Sequence, residues 1–196
     1  FFWRADSYES VNASVPVVIG EDKVFISECY GKGGALLKFD ENHKISVQWE
    51  ERKFGMHWMT PLVINDHIYG FSGRNKPDVQ FKCAKVSDGS ILWQDDMRYQ
   101  FELNGRDLTL SFFRGSLLKC ENRVFGLGED GVFAEFMLSP KGVKISSQSQ
   151  LFVAEQSWAL PVIHKGLLYI SQHTRGFVND TKPRLMCYDF REESSN

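Results

Sequence analysis

The sequence has little of the features that mark several large classes of protein. It contains no apolar run near the roughly 18 residues of a membrane-spanning helix, and its formal net charge is −2 with both signs interspersed. These properties argue against a transmembrane segment and against a nucleic-acid-binding surface. Cysteine is sparse and shows neither the CxxC spacing of zinc sites nor the density of a disulfide framework. The cysteines are Cys29, Cys83, Cys120 and Cys187.

Short runs of β-branched and aromatic residues, separated by turn residues, dominate the chain instead. Between Met59 and Trp93 there are four such runs, at 60–64, 68–71, 81–84 and 91–93. Each run is shorter than a typical helix and is bounded by Asn, Asp or Gly, which tolerate the backbone angles of tight turns. The stretch therefore predicts four antiparallel strands in one sheet.

This four-strand unit recurs along the chain. The aromatic residue at the centre of each second strand repeats at intervals of 44, 56 and 44 positions, at Phe25, Tyr69, Phe125 and Tyr169. A period near 44 residues with four strands per unit is typical of a β-propeller blade. We therefore predict an all-β fold, a β-propeller of four-stranded antiparallel blades that forms a single region over 1–196. The repeats span about 12–50, 57–94, 114–150 and 157–190.

The longer interval between the second and third repeats comes from residues 95–110. Their charges and aromatics show no helical period, so we expect an extended or hairpin insertion on one rim. The chain starts on a strand-like segment at 1–4, and its last repeat lacks a closing Trp strand. Two arrangements stay open: a closed ring of four blades, or an arc of a larger ring of about seven or eight.

Two pairs of residues hold equivalent positions in different repeats. Trp49 and Trp93 each close a repeat and lie 44 positions apart. We expect both indoles to pack between neighbouring blades, because a ligand site seldom needs the same group at each blade's outer edge. Cys83 and Cys187 also fall at equivalent strand positions, where we expect burial as small hydrophobes. A disulfide and a reactive thiol are the alternatives.

Five residues stand in the segments just before the first, innermost strands of the repeats. In a propeller these segments enter on one face beside the axis, so residues distant in sequence can meet there. Two Trp side chains with an Arg and a His would form an amphipathic surface of the kind enriched at binding hot spots. The alternative is that they plug the channel mouth and pack the rim. The candidate binding residues are Asn12, His57, Trp58, Arg114 and Trp158.

The repeats resemble the pyrroloquinoline-quinone-like (PQQ-like, quinoprotein-like) propeller repeat. The likeness is carried by a Pro-led strand at 60–64, a Tyr-centred strand at 67–71 and a Gly turn before Leu-Trp at 88–93. Further segments resemble the C-terminal half of secreted bacterial propellers, among them the periplasmic scaffold of outer-membrane protein assembly. These segments are 11–16, 31–37, 114–118 and 157–161. The resemblance implies a periplasmic or extracellular location and a larger chain that supplies the remaining blades.

The resemblance also implies two functions. In the quinone-dependent alcohol and sugar dehydrogenases of this family, PQQ lies on the axis with calcium held by carboxylate and amide oxygens, beside a disulfide between adjacent cysteines. This sequence has no adjacent cysteines, and no carboxylate stands just before its predicted inner strands. We therefore expect a non-catalytic binding or scaffold module for a protein, peptide or glycan, with no catalytic residue, cofactor or metal. A fragment of a PQQ-dependent dehydrogenase is the alternative, with PQQ and calcium as its cofactors.

Overall fold

The computed structural model describes residues 13–75, 78–178 and 180–191, and all regular secondary structure in them is β-strand. The predicted all-β fold is confirmed, because the strands form four-stranded antiparallel sheets of the kind found in propeller blades. Asn12 and the strand-like segment 1–4 lie outside the described residues. No helix in the described part of the chain is long and apolar enough to cross a membrane.

The first two sheets have four strands each, which neighbour one another in chain order. The first sheet contains β1 (Val17–Ile19), β2 (Lys23–Glu28), β3 (Gly33–Phe39) and β4 (Ile45–Glu51). The second sheet contains β5 (Leu62–Ile64), β6 (His67–Ser72), β7 (Gln80–Lys85) and β8 (Ile91–Asp95). Each is a simple meander, as the repeat pattern predicts.

The remaining strands form a hairpin and two further sheets. The hairpin, in the region of the predicted insertion, pairs β9 (Arg98–Leu103) with β10 (Arg106–Ser111). The third sheet contains β11 (Gly115–Cys120), β12 (Arg123–Gly128), β13 (Val132–Ser139) and β14 (Gly142–Gln150). The last sheet has three described strands, β15 (Val162–His164), β16 (Leu167–Gln172) and β17 (Arg184–Asp189).

Tight turns set the register of the hairpins. Three of the hairpins are joined by two residues that both have positive φ, which a type I′ turn requires. This turn matches the right-handed twist of the flanking strands and so fixes which residues face each other across the pair. The turns are Asn65-Asp66 (φ 46° and 60°), Asn104-Gly105 (52° and 74°) and Lys165-Gly166 (50° and 75°).

The chain divides into two compact units, each with its own apolar core. Unit 1 comprises residues 1–97 and 138–143, and unit 2 comprises residues 98–137 and 144–196. Each core lies between the facing surfaces of consecutive sheets, because a blade that is apolar on both faces must stack to bury them. The core of unit 1 includes Phe25, Leu36, Phe54, Met56, Ile68 and Ala84. The core of unit 2 includes Phe125, Leu127, Phe133, Leu168 and Ile170.

Trp49 on β4 confirms that an indole packs against the next repeat. The side chain is buried, and its Nε1 donates to the Val86 carbonyl at 2.8 Å. The ring lies over Gly89, whose φ is +74° and on which a Cβ would come within 2.5 Å of the indole. Trp93 makes the same kind of bond within unit 1, from Nε1 to the Ser139 carbonyl at 3.0 Å, but is only half-buried.

The pairing of β4 and of β8 shifts register at the same place in the two sheets. In the first sheet the shift falls between Leu36 and Leu37, beside Trp49. In the second sheet it falls between Cys83 and Ala84, beside Trp93. A bulge of this kind adds one residue to a strand and changes the face that the adjoining side chains present.

The cysteines differ in burial. None of the four, all of which lie in the described residues, forms a disulfide. Cys83 is buried as expected, but Cys187 is exposed, and the prediction of its burial was wrong. The reason is the position of each strand in its sheet. β8 flanks β7 and sets Trp93 opposite Cys83, whereas β17 is the last described strand of its sheet and leaves Cys187 uncovered on that side.

Candidate functional site

The residues predicted to form a site lie in both units. His57 and Trp58 precede β5 in unit 1, whereas Arg114 and Trp158 precede β11 and β15 in unit 2. Asn12 lies outside the described residues. Within unit 2, Arg114 and Trp158 come together because they share one partner.

A buried ion pair forms where β11 begins and β12 ends. Gly115 and Gly128 face each other in the antiparallel register, which sets Arg114, just before β11, beside Glu129, just after β12. The guanidinium donates two hydrogen bonds to the carboxylate, Nε to Oε2 and Nη2 to Oε1, each 2.8 Å long. The side chains are 13% and 3% exposed, respectively. Two parallel bonds of this kind fix the orientation of both groups.

The backbone ahead of β11 directs Arg114 toward this partner. Phe113 adopts a left-handed φ of +53°, which is uncommon for a residue other than glycine. The backbone N–H of Glu129 donates to the Phe112 carbonyl at 3.2 Å and continues the pairing past the end of the strands. The Arg114 Cζ atom lies 4.7 Å from the centre of the Phe113 ring. The guanidinium is therefore held both by a carboxylate and by an aromatic face.

Trp158 joins the ion pair from a third segment of unit 2. Its indole Nε1 donates to Glu129 Oε1 at 2.7 Å, and the Arg114 Cζ atom lies 5.4 Å from the centre of its ring. The backbone N–H of Ser157 donates to the Glu129 carbonyl at 3.2 Å. Although it is fixed at its polar end, Trp158 keeps 41% of its surface exposed. Arg114, Glu129 and Trp158 are called the unit 2 cluster below.

Glu129 holds this cluster together, although the sequence reasoning did not select it. A signal for it exists, because each second strand ends at or next to a buried polar residue. These residues are Glu28, Ser72, Glu129 and Gln172, each 3% exposed or less. The side chains differ in what they bind: Glu28 accepts three backbone N–H groups of the turn that follows it. Glu129 binds side chains instead, so its role could not be read from the repeat position alone.

Two buried hydroxyl groups flank the cluster in sequence. Ser116 lies two residues after Arg114, and Ser157 immediately precedes Trp158. Neither hydroxyl has a hydrogen-bond partner among the described residues. A buried hydroxyl in this state costs about 1–3 kcal/mol relative to a bonded one. This part of unit 2 therefore combines a fixed aromatic side chain with polar groups held away from solvent.

His57 belongs to a second aromatic cluster, in unit 1. Its Nε2 lies 3.0 Å from the Tyr30 hydroxyl oxygen, and the two rings meet edge-on with centroids 5.7 Å apart. The Arg74 Cζ atom lies 4.7 Å from the centre of the Tyr30 ring. His57 and Trp58 are both half-buried. Tyr30 thus links the predicted His57 to a cation that the sequence reasoning did not connect with it.

A calcium site would draw first on buried carboxylates, which among the described residues are Glu28 and Glu129. No group of three or more His, Cys, Asp and Glu side chains that could hold a metal occurs within 13–75, 78–178 and 180–191. The Glu129 carboxylate is bound by Arg114 and Trp158, and the Glu28 carboxylate by backbone N–H groups. Calcium requires several hard oxygen ligands in one place, and these two carboxylates are already engaged.

Three comparisons with known proteins accompany this geometry. No protein-family model matches the chain, and a search of curated proteins found no match. A search of solved structures found the crystal structure of BamB from Moraxella catarrhalis, with a TM-score of 0.48 and 15% sequence identity. The match covers 81% of this chain and 40% of that chain, so this chain spans less than half of its length. The assignment of the fold rests on the described sheets themselves.

Proposed function

We propose that this chain is a non-catalytic propeller module of the PQQ-like repeat type that binds a protein, peptide or glycan partner through Trp158. The observation that carries the proposal is the state of this side chain, which is 41% exposed while its Nε1 is fixed on a buried carboxylate. An aromatic side chain that is already ordered loses little conformational entropy on binding. Trp and Arg are also the residues most enriched at binding hot spots.

The surface that follows Trp158 favours a protein or peptide over a glycan. Leu160 and Val162 alternate with it along the approach to and start of β15, and they are 56% and 52% exposed. Exposed aliphatic side chains beside an aromatic one match the apolar side chains of a polypeptide better than the hydroxyl groups of a sugar. The partner expected is therefore a polypeptide segment that presents apolar side chains.

The proposal includes a periplasmic or extracellular location and a larger chain that supplies further blades. Both expectations follow from the family resemblance. A fusion of the full-length gene product to a reporter that is active only outside the cytoplasm tests the location, and reporter activity confined to the cytoplasm would contradict it.

The binding proposal is tested by affinity capture from extracts of the source organism, followed by titration of the purified partner. We expect Trp158→Ala to weaken binding by roughly 30-fold or more, as for a central hot-spot aromatic. Phe177→Ala is the matched control, because Phe177 is another exposed aromatic of unit 2, at 65%. Equal binding by the wild type and Trp158→Ala would rule out the proposed surface.

The dehydrogenase alternative is tested on the same protein. Incubation with PQQ and calcium followed by gel filtration measures whether quinone absorbance stays with the chain. Stoichiometric quinone together with dye reduction in the presence of an alcohol or sugar would overturn the non-catalytic reading. Absence of retained quinone, with partner binding lost in Trp158→Ala, is the outcome expected.

A further inference from the structure

Unit 1 contains an open cleft of about 470 Å³ with a strong excess of positive charge. Gln80 and Gln94 add amide side chains to its wall, and the Gln80 Nε2 donates to Asp96 Oδ1 at 2.9 Å. A concave surface lined by one sign of charge concentrates ions of the opposite sign. Its volume falls within the range of small-molecule sites, roughly 300–1,000 Å³. The charged lining residues are Arg52, Lys53, Arg74, Lys82 and Asp78.

Lys82 is an exception within the repeat. It lies on β7 opposite Gly70, and the residues at the same register position of the other three sheets are apolar. These residues are Ala35, Ala134 and Met186. A blade therefore does not need a charge at this position to fold. Because an ammonium group is costly to bury, a role outside the blade's own packing accounts best for the lysine.

The surroundings of Lys82 satisfy only part of its hydrogen-bonding capacity. The residue is 8% exposed, and its Nζ donates to the Lys53 carbonyl at 2.7 Å, an oxygen that also accepts a bond from Ser72. An ammonium group carries three donors, and within the described residues this carbonyl is the acceptor for one of them. Burial lowers the pKa of Lys82, while the charges of Glu51 and Asp78 oppose that shift.

Arg74 adds a second cation to the cleft, held against an aromatic ring. Its guanidinium lies over the Tyr30 ring, with Cζ 4.7 Å from the ring centre, and the Tyr30 hydroxyl is 3.0 Å from His57 Nε2. Stacking engages the flat face of a guanidinium and leaves its N–H donors in the plane for other acceptors. The cleft therefore offers hydrogen-bond donors from the Lys82 ammonium and from the Arg74 guanidinium.

We propose that this cleft binds a small molecule that carries a phosphate or sulfate group, with the anion held between Lys82 and Arg74. Four basic residues against one Asp suit a dianion better than a single carboxylate. The amide side chain of Gln94 is suited to the uncharged part of such a ligand, whereas the Gln80 amide is bonded to Asp96. This site lies in unit 1 and is independent of the surface around Trp158.

Calorimetric titration of the full chain at low ionic strength tests the proposal with three probes: inorganic phosphate, inorganic sulfate and acetate. We expect saturable binding of phosphate or sulfate and at least about tenfold weaker binding of acetate, because two charge-assisted bonds favour the tetrahedral dianion. A preference for phosphate over sulfate, or the reverse, identifies the group. No saturable binding of either probe, or equal binding of acetate, would overturn the proposal.

Variants assign the binding to the cleft. Lys82→Ala introduces the residue that Ala35 and Ala134 already supply in sister sheets, so this variant is expected to fold. It should lose at least about tenfold in affinity for the anion, and the anion should no longer raise its thermal midpoint. Lys119→Ala, which removes an exposed charge in unit 2, is the matched control and should bind as the wild type does. Unchanged binding by Lys82→Ala would refute the assignment.

Discussion

Glu129 in unit 2 and Lys82 in unit 1 are both buried charged side chains, 3% and 8% exposed, but they differ in their bonding partners. Glu129 is paired with the Arg114 guanidinium through two hydrogen bonds. Lys82 has the Lys53 carbonyl as its acceptor, and within the described residues no carboxylate forms an ion pair with it. A buried charge that carries its own counter-ion organises a surface. Glu51 and Asp78 act on Lys82 through their charges without bonding to it, and this difference underlies the anion site proposed for unit 1.

Removing the carboxylate from the paired site should have the largest effect. Glu129→Ala leaves the Arg114 guanidinium buried without its counter-ion and removes the acceptor of the Trp158 indole. We expect a loss of about 3–5 kcal/mol in the free energy of unfolding, the range for breaking a buried pair. Urea denaturation followed by fluorescence measures this loss. A change below about 1 kcal/mol would show that the pair is effectively solvated.

Removing both charges of the pair should restore most of that loss. In Arg114→Met combined with Glu129→Leu, no uncompensated charge remains, and apolar side chains fill much of the same volume. Such replacements are often neutral within about 1–2 kcal/mol. The double mutant should therefore be more stable than Glu129→Ala in the same denaturation experiment. A double mutant as unstable as Glu129→Ala would contradict the view that an orphaned guanidinium causes the loss.

The unpaired site should respond in the opposite direction. Lys82→Met replaces a buried ammonium by the residue type found at Met186, so we expect stability at neutral pH to rise by up to about 1 kcal/mol. Burial lowers the pKa of Lys82 in the folded state below its ordinary 10.5, Lys53 adds to this shift, and Glu51 and Asp78 oppose it. At pH values between the lowered pKa of Lys82 in the folded state and 10.5, the unfolded chain binds more protons than the folded chain does. The wild type therefore gains stability as the pH rises through this interval.

The gain in stability of Lys82→Met over the wild type should therefore shrink as the pH rises. Denaturation of both proteins at about pH 7 and about pH 10 measures it. A Met variant that is less stable than the wild type at neutral pH would show that the ammonium stabilises the fold.

A small loss of stability is expected at the edge of the paired site. Trp158→Ala removes a side chain that is 41% exposed and leaves the two bonds between Arg114 and Glu129 in place. We expect a loss of about 1 kcal/mol, far below the 3–5 kcal/mol typical of a buried aromatic. Trp49→Ala is the comparison, because that indole is buried and bonded to Val86, and it should reach the larger value. Equal losses for the two would place Trp158 in the core.

The strands could be predicted from the sequence because their signals are local. Short runs of β-branched and aromatic residues and turns such as the one at Asn65-Asp66 depend on neighbouring residues alone, and the recurrence of Tyr69-like aromatics near every 44 positions groups the strands into blades. The position of Trp49 against the next repeat followed from the same periodicity. Cys187 shows the limit, since equivalence to Cys83 predicts burial only where a fourth strand covers it.

The chemistry of the sites was less predictable because it depends on residues that break the repeat. Arg114 and Trp158 were selected from their position before the first strands of two repeats, but their common partner Glu129 follows a strand. Lys82 stands where other blades have an apolar residue, and nothing adjacent in sequence marks it. For Lys82 the informative signal is a mismatch between equivalent positions, and for Glu129 it is a different choice of hydrogen-bond partner; both become visible once the register of the sheets is known.

The register shifts beside Trp49 and Trp93 give β4 and β8, the outer strands of the first two sheets, the same alternation of faces. Because the shift falls at the same step before each indole, a chimaera in which β4 replaces β8 would keep every side chain on its original face. A strand without the extra residue would invert the faces beyond the junction. The bulge therefore sets which face each residue of an exchanged outer strand presents to its neighbours.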